Sequence, residues 1–280
     1  MRASLIQINV DPAEPVAERR DRAAALVREQ AGSDLVVLPE LWHVGAFAFE
    51  SFAVEAEPLD GPTVRAMSAA ALDAGVWLHA GSIVERDADG ADEAEGTGGV
   101  SGVGRAGGAL YNTSLVFSPG GELVRTYRKI HRFGFDKGEA VTMAAGTEPV
   151  TVALPGAVAG LATCYDLRFP ELFRDLVDRG ARMFVVPAGW PERRRAHWSL
   201  LARARAVENQ AYVLACGTAG THAGVEQAGH SVVVDPWGDV VGEAGGGEEV
   251  LSVELDLARV DRIREDFPAL KDRVLGVRGD

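Results

Sequence analysis

The stretch Leu161-Ala-Thr-Cys-Tyr-Asp-Leu-Arg-Phe-Pro-Glu-Leu172 joins an apolar run to the opening of a helix. Val158 to Ala162 reads as the end of a buried strand. Phe169-Pro170-Glu171 opens a helix, with proline suited to its first turn. Cys164 stands between the two. A helix N-terminus carries partial positive charge and unpaired N–H groups, and both favour a thiolate. A free cysteine is also among the most buried residue types and commonly serves as a small hydrophobe. From this stretch alone Cys164 reads either as a nucleophile or as core.

Outward from Cys164 the chain alternates strand and helix. Ser4 to Val10 predicts a first strand, and Asp11-Pro12 starts a helix that runs to about Gly32. Leu35-Val-Val-Leu38 is apolar throughout, as expected of a strand buried on both faces. A helix follows from Gly61-Pro62 to Ala74, then a strand from Val76 to Val84. Ala109 to Phe117 and Glu122 to Arg128 predict a hairpin about the turn Ser118-Pro-Gly-Gly121. Gly134 to Glu148 reads as irregular. The second half repeats the scheme: strands 151–154 and 158–163, a helix from Pro170 to about Arg179, strand 183–186, helix 197–209 and strand 211–216. Strands at 230–235 and 249–255 and a helix at 256–266 close the chain. Leu35-Val-Val-Leu-Pro-Glu-Leu-Trp42 is echoed by Met183-Phe-Val-Val-Pro-Ala-Gly-Trp190. The expectation is an α/β fold of two similar, pseudo-symmetric βαβ halves in one domain spanning 1–280. Within it, the acidic, glycine-rich stretch 87–108 reads as a mobile surface loop, and 267–280 as a tail.

The bulk numbers exclude some partners. Of 280 residues, 41 are acidic and 28 basic, a net charge of −13. That disfavours nucleic acid and anionic membrane surfaces. No stretch approaches the roughly 20 apolar residues of a membrane span. Two cysteines, Cys164 and Cys216, are no disulfide framework, so a reducing cytoplasmic setting is expected. None of the six histidines pairs at metal-ligand spacing, and neither metal nor cofactor is expected.

Three residues stand at strand ends facing loops: Glu40, Lys129 and Cys164. Singly, each has a bland reading as a solvated carboxylate, a surface cation or a core thiol. Together they fit a pattern. Leu38-Pro-Glu-Leu-Trp42, Tyr127-Arg-Lys-Ile-His131 and Cys164-Tyr-Asp-Leu-Arg-Phe-Pro-Glu171 resemble the motifs of the nitrilase superfamily of carbon–nitrogen hydrolases. Gly229-His-Ser, Asp235-Pro-Trp-Gly238 and Arg205-Ala-Val-Glu-Asn209 extend the likeness over nearly the whole chain.

The resemblance implies a four-layer α-β-β-α sandwich, commonly dimerised through helices. It implies Cys164 as nucleophile, Glu40 as general base, and Lys129 with the Tyr165 N–H as oxyanion donors. Glu139, seven positions before Gly146, matches a second glutamate of many members, proposed to orient the lysine or the leaving group. The short stretch from His131 to Glu139 departs from the family in lacking a Pro-Gly and an aromatic that many relatives carry there, which makes Glu139 the less secure match. Tyr-Asp after the cysteine favours amide over nitrile, and the block looks most like the ω-amidase branch. The implied reaction is hydrolysis of a small, carboxylate-bearing amide through a thioester, with water as co-substrate and ammonia released. N-carbamoyl amino acid hydrolysis or a nitrilase reaction is the alternative; a non-enzymatic binding role is disfavoured by the intact triad. Arg168 reads either as a carboxylate reader or as an ion-pair partner of Asp166 or Glu171. Trp190 is expected beside the substrate. His131, His230 and Cys216 read as structural, Glu208-Asn209 as support, and Arg193-Arg-Arg195 as a solvated helix entry.

Overall fold

The computed structural model describes residues 1–87 and 108–276, so all but the two ends of the 87–108 stretch, and the last residues of the tail, lie outside it. The first half comprises β1 (Arg2–Gln7), β2 (Asn9–Val10), α1 (Val16–Arg28), β3 (Leu35–Val37), α2 (Phe52–Glu55), α3 (Pro62–Ala74) and β4 (Trp77–Asp87). The hairpin β5 (Ala109–Phe117) and β6 (Leu123–Arg128) follows, then the single turn α4 (Glu139–Thr142). The second half comprises β7 (Thr151–Leu154), β8 (Ala157–Leu161), α5 (Pro170–Asp178), β9 (Met183–Ala188), α6 (Arg195–Asn209) and β10 (Tyr212–Gly217). It continues through β11 (Ala219–His222), β12 (Val225–Glu226), β13 (Val232–Val234), β14 (Val240–Glu243), β15 (Glu249–Glu254) and α7 (Ala258–Asp266).

Two six-stranded sheets result, ordered β15-β1-β3-β4-β5-β6 and β7-β8-β9-β10-β13-β14. Both begin with an antiparallel pair, continue through two parallel pairs and end with two antiparallel ones. In this alignment β3 matches β9, the strands that carry the Pro-and-Trp echo. The crossovers α1 and α3 in one half correspond to α5 and α6 in the other.

Three apolar layers hold the sheets and helices together. Leu5, Leu35 and Val37 of one sheet meet Met183, Val185 and Leu214 of the other. Val36 and Leu38 point the opposite way, onto Val27, Val64 and Met67 of α1 and α3. Phe184 and Val186 likewise face Phe173, Trp198 and Ala202 of α5 and α6. Successive side chains of a strand alternate faces, so a strand with apolar layers on both sides must be apolar at every position. The layers are therefore α-β-β-α, as expected.

Several boundaries differ from expectation. The first helix starts at Val16, not at Asp11-Pro12, because the Asp11 side chain takes the Ala13 N–H at 2.8 Å and holds a turn there. It ends at Arg28 rather than near Gly32. The predicted strand 4–10 is broken at Ile8, and Asn9–Val10 pairs with β11 in a small third sheet. Between β8 and α5 lies a 3₁₀ turn, Cys164–Arg168, so Cys164 heads that turn and not the α-helix. The irregular passage 134–148 contains α4, whose first residue is Glu139. The strand expected at 230–235 shortens to Val232–Val234, and β14 went unforeseen.

Candidate active site

Glu40 follows β3 at a sharp turn. Leu41 has φ +45° and its N–H donates to Ser82 Oγ at 3.1 Å. Across from it Gly81 has φ +66°, and a Cβ there would sit 1.9 Å from the Pro39 carbonyl oxygen, so only glycine fits. Lys129 comes one residue after β6, its N–H bonded to the Asn112 carbonyl at 2.9 Å. The residue is only 2% exposed. Such burial of an ammonium requires partners. It has two: Nζ donates to Glu40 Oε1 at 2.6 Å and to Glu139 Oε2 at 2.7 Å. Asn112 braces the same pair, its Nδ2 donating to Glu40 Oε1 at 2.8 Å and to Glu139 Oε1 at 2.5 Å. The Phe133 N–H gives Glu139 Oε2 a further bond of 2.8 Å.

Cys164 heads the 3₁₀ turn with φ +48°, a strained value for a residue with a Cβ. Asp166 fixes the turn. Its carboxylate accepts from the Thr163 N–H at 2.8 Å, the Tyr127 hydroxyl at 2.7 Å and the His131 N–H at 3.0 Å. It thereby ties the cysteine turn to the strand end that delivers Lys129. Within this turn the Tyr165 N–H has no acceptor among the described residues. Gly189, just after β9, links base and thiol. Its N–H donates to Glu40 Oε2 at 2.8 Å, and its carbonyl faces the Cys164 Sγ at 3.6 Å. A Cβ on Gly189 would meet that of Ala46 at 2.3 Å.

These groups perturb one another. Burial first, and then the Glu40 charge, push the Cys164 thiol well above its ordinary value. Burial alone would lower Lys129, but the Glu139 and Glu40 carboxylates outweigh it and raise the ammonium well above its usual range. Burial raises Glu139 as well, against the pull of Lys129. The resting centre thus holds a neutral thiol and a fixed ammonium.

Glu40, Lys129, Glu139, Cys164, Tyr165, Arg168 and Trp190 all line one cavity of about 350 Å³, part of it at the open mouth. Asp166 is taken by Tyr127, His131 and Thr163, and Arg168 forms no ion pair among the described residues. Arg194, read from sequence as part of a solvated helix entry, instead lines the cavity. Its cue in the sequence was hidden by the two neighbouring arginines. Asn112 was visible only as a polar residue inside a strand, and Gly189 only as a member of the echo. Cys216 is core, its thiol against the Ile6 and Val37 carbonyls. Arg205 holds the Leu167 carbonyl at 3.0 Å and is braced by Glu208 at 2.7 Å, so Glu208 supports the cysteine turn at one remove.

The family model for carbon-nitrogen hydrolase matches residues 2–265. The chain belongs to the carbon–nitrogen hydrolase family. It is 40% identical over 272 residues to a 2-oxoglutaramate amidase of Paenarthrobacter nicotinovorans, covering 96% of this chain and 87% of that protein. It is 36% identical to the omega-amidase NIT2 of Mus musculus, covering 97% and 94%. The crystal structure of Saccharomyces cerevisiae Nit3, a member of branch 10 of the nitrilase superfamily, superposes with a TM-score of 0.83 at 31% identity, covering 98% and 96%. This carbon–nitrogen hydrolase is an amidase of the nitrilase superfamily, acting on non-peptide C–N bonds. No helix among its described residues is long and apolar enough to cross a membrane.

Proposed function

We propose that this amidase cleaves the terminal amide of a small monoamide that also bears a carboxylate, releasing ammonia, and that Glu40, Lys129 and Cys164 carry the reaction. The observation behind this reading is the Glu40–Lys129–Glu139 network, buried and hydrogen-bonded beside the Cys164 thiol, at the floor of a small cavity. Because the thiol is neutral at rest, it needs a base at the moment of attack. Glu40 takes the thiol proton as Sγ bonds to the amide carbonyl carbon. The oxyanion that forms is met by Lys129 Nζ and the unpaired Tyr165 N–H. Protonated Glu40 hands its proton to the amide nitrogen, the C–N bond breaks and ammonia leaves, with the acyl group held as a thioester. Water, deprotonated by Glu40, attacks that thioester; the acid leaves and the thiol is restored. Glu139 and Asn112 hold Lys129 and Glu40 in register. Arg168 and Trp190 meet the far end of the substrate. The relatives support the substrate class, being a 2-oxoglutaramate amidase and an omega-amidase.

Ammonia release across 2-oxoglutaramate, succinamate, carbamoyl amino acids and nitriles tests the reading. Activity is expected on the first two, and Cys164→Ala is expected to abolish it while leaving the thermal transition in place. Turnover persisting in Cys164→Ala would sink the mechanism, and a preference for carbamoyl amino acids would replace the substrate.

We also propose a homodimer in a reducing, cytoplasmic setting. Both cysteines are free thiols. Leu200 and Val207 of α6 are 67% and 52% exposed, with Trp237 and Phe267 similarly bare. Apolar side chains gathered on one face favour a partner. Sedimentation should give twice the chain mass, and a monomer at micromolar concentration would remove the proposal.

A further inference from the structure

Several arginines of this acidic chain form ion pairs, Arg22, Arg128, Arg205, Arg259 and Arg273 among them. Arg168 and Arg194 line the cavity and have no acidic partner among the described residues. Each lies against aromatic faces instead. The Arg168 guanidinium is 4.9 Å from the Trp190 ring centroid and 6.0 Å from that of Tyr165. The Arg194 guanidinium is 5.2 Å from the Phe133 ring. Phe133 and Tyr165 touch edge to face at 5.4 Å, so the two guanidiniums sit on one aromatic collar.

Trp190 couples the two arginines. Its ring lies under Arg168, while its indole N–H donates to the Arg194 carbonyl at 2.8 Å. The Arg194 N–H is held by the Pro191 carbonyl at 2.9 Å. The Arg194 backbone is therefore fixed before any ligand arrives, which reduces the entropy that binding must remove. Burial and the charges of Arg193 and Arg168 depress Arg194, a penalty that an anion placed between the guanidiniums would relieve. At the opposite end, two acidic side chains, Glu40 and Glu139, flank the single Lys129. A monoanionic amide entering this field is turned one way, carboxylate outward and amide toward Cys164.

We propose that Arg194, together with Arg168, grips the substrate carboxylate, and that Arg194 is a specificity-determining residue of this amidase. The proposal rests on the carboxylate-bearing substrate class above. Its test is the ratio of kcat/KM for succinamate to that for butyramide, the neutral amide of equal chain length. Arg194→Gln should lower that ratio about 10- to 100-fold, mainly through KM for succinamate. Arg194→Lys, which keeps the charge without the fork, should fall between. The inhibition constant of succinate should rise in parallel. An equal loss on both amides would assign Arg194 to packing on Phe133 and overturn the proposal. So would a ratio changed by less than about threefold. If Arg168→Gln lowers the ratio and Arg194→Gln does not, the substrate class stands and this inference fails. A wild-type enzyme without preference for succinamate removes both.

Discussion

At the scale of single residues, the site depends on a thiol that stays protonated until a base acts. Cys164 is raised first by burial and then by the neighbouring Glu40 charge. Below its raised value the thiol is neutral; only above it does a thiolate form. The rate of alkylation by iodoacetamide should therefore keep rising with pH past the ordinary cysteine value of about 8.5. Glu40→Gln removes the largest raising influence after burial, so its alkylation midpoint should move down. A midpoint that moves up, or a wild-type plateau near neutrality, would contradict this account of the thiol. Cys164, Glu40 and Lys129 were legible in sequence because each sits in a motif at a strand end. Arg194 was not, since three consecutive arginines read as solvated whatever direction the middle one takes. Asn112 was not, since nothing in a linear chain says that one amide reaches two distant carboxylates.

At the scale of elements, the cysteine turn is held by a carboxylate that the sequence offered only as one ion-pair option for Arg168. Asp166, wholly buried, joins the 3₁₀ turn to the end of β6 through Thr163, Tyr127 and His131. His131 in turn stacks on Phe169 with ring centroids 3.8 Å apart. Asp166→Asn keeps the shape and loses the charge, and its amide nitrogen cannot accept the N–H groups that the carboxylate accepts. The variant should lose on the order of 2 kcal/mol of stability or more, with kcat falling further than KM rises, as the Tyr165 N–H drifts from the oxyanion. Denaturant unfolding and steady-state kinetics check both; full stability and turnover would show that the tie is dispensable. The elements themselves were mostly legible, since a run with both faces buried is apolar at every residue. Short pieces were not. The break at Ile8, the turn α4 and the strand β14 owe their form to neighbours in space.

At the scale of the whole molecule, the two halves divide the chemistry. The first sheet delivers Glu40 and Lys129 at its strand ends, and the second delivers Cys164 and Gly189. The echo that revealed the halves in sequence places Glu40 opposite Ala188, so one copy kept a carboxylate and the other a small wall. Packing this tight also buries histidines. His43, His79 and His222 are held neutral by burial, at about 3, 4 and 4 against an ordinary 6.5. The unfolded chain binds protons on them first, so their contribution is complete above pH 6.5 and is lost as pH falls toward 4. Each should cost about 1.4 kcal/mol per pH unit across that window. Thermal midpoints should fall between pH 6.5 and 5, and the imidazole resonances of all three should remain those of the neutral form at pH 5.5. Protonated resonances there would refute the assignment.

The edge strand β15 pairs along the full length of β1, Glu254 opposite Arg2 and Glu249 opposite Gln7. The first sheet is thus completed by a segment that is synthesised long after β1. Until then β1 presents a bare row of backbone donors and acceptors, open to pairing with another nascent chain. The N-terminal half, although it carries the base and the ammonium, cannot settle as a finished unit during synthesis. A chain that stalls before β15 would be a template for aggregation rather than a partly useful enzyme.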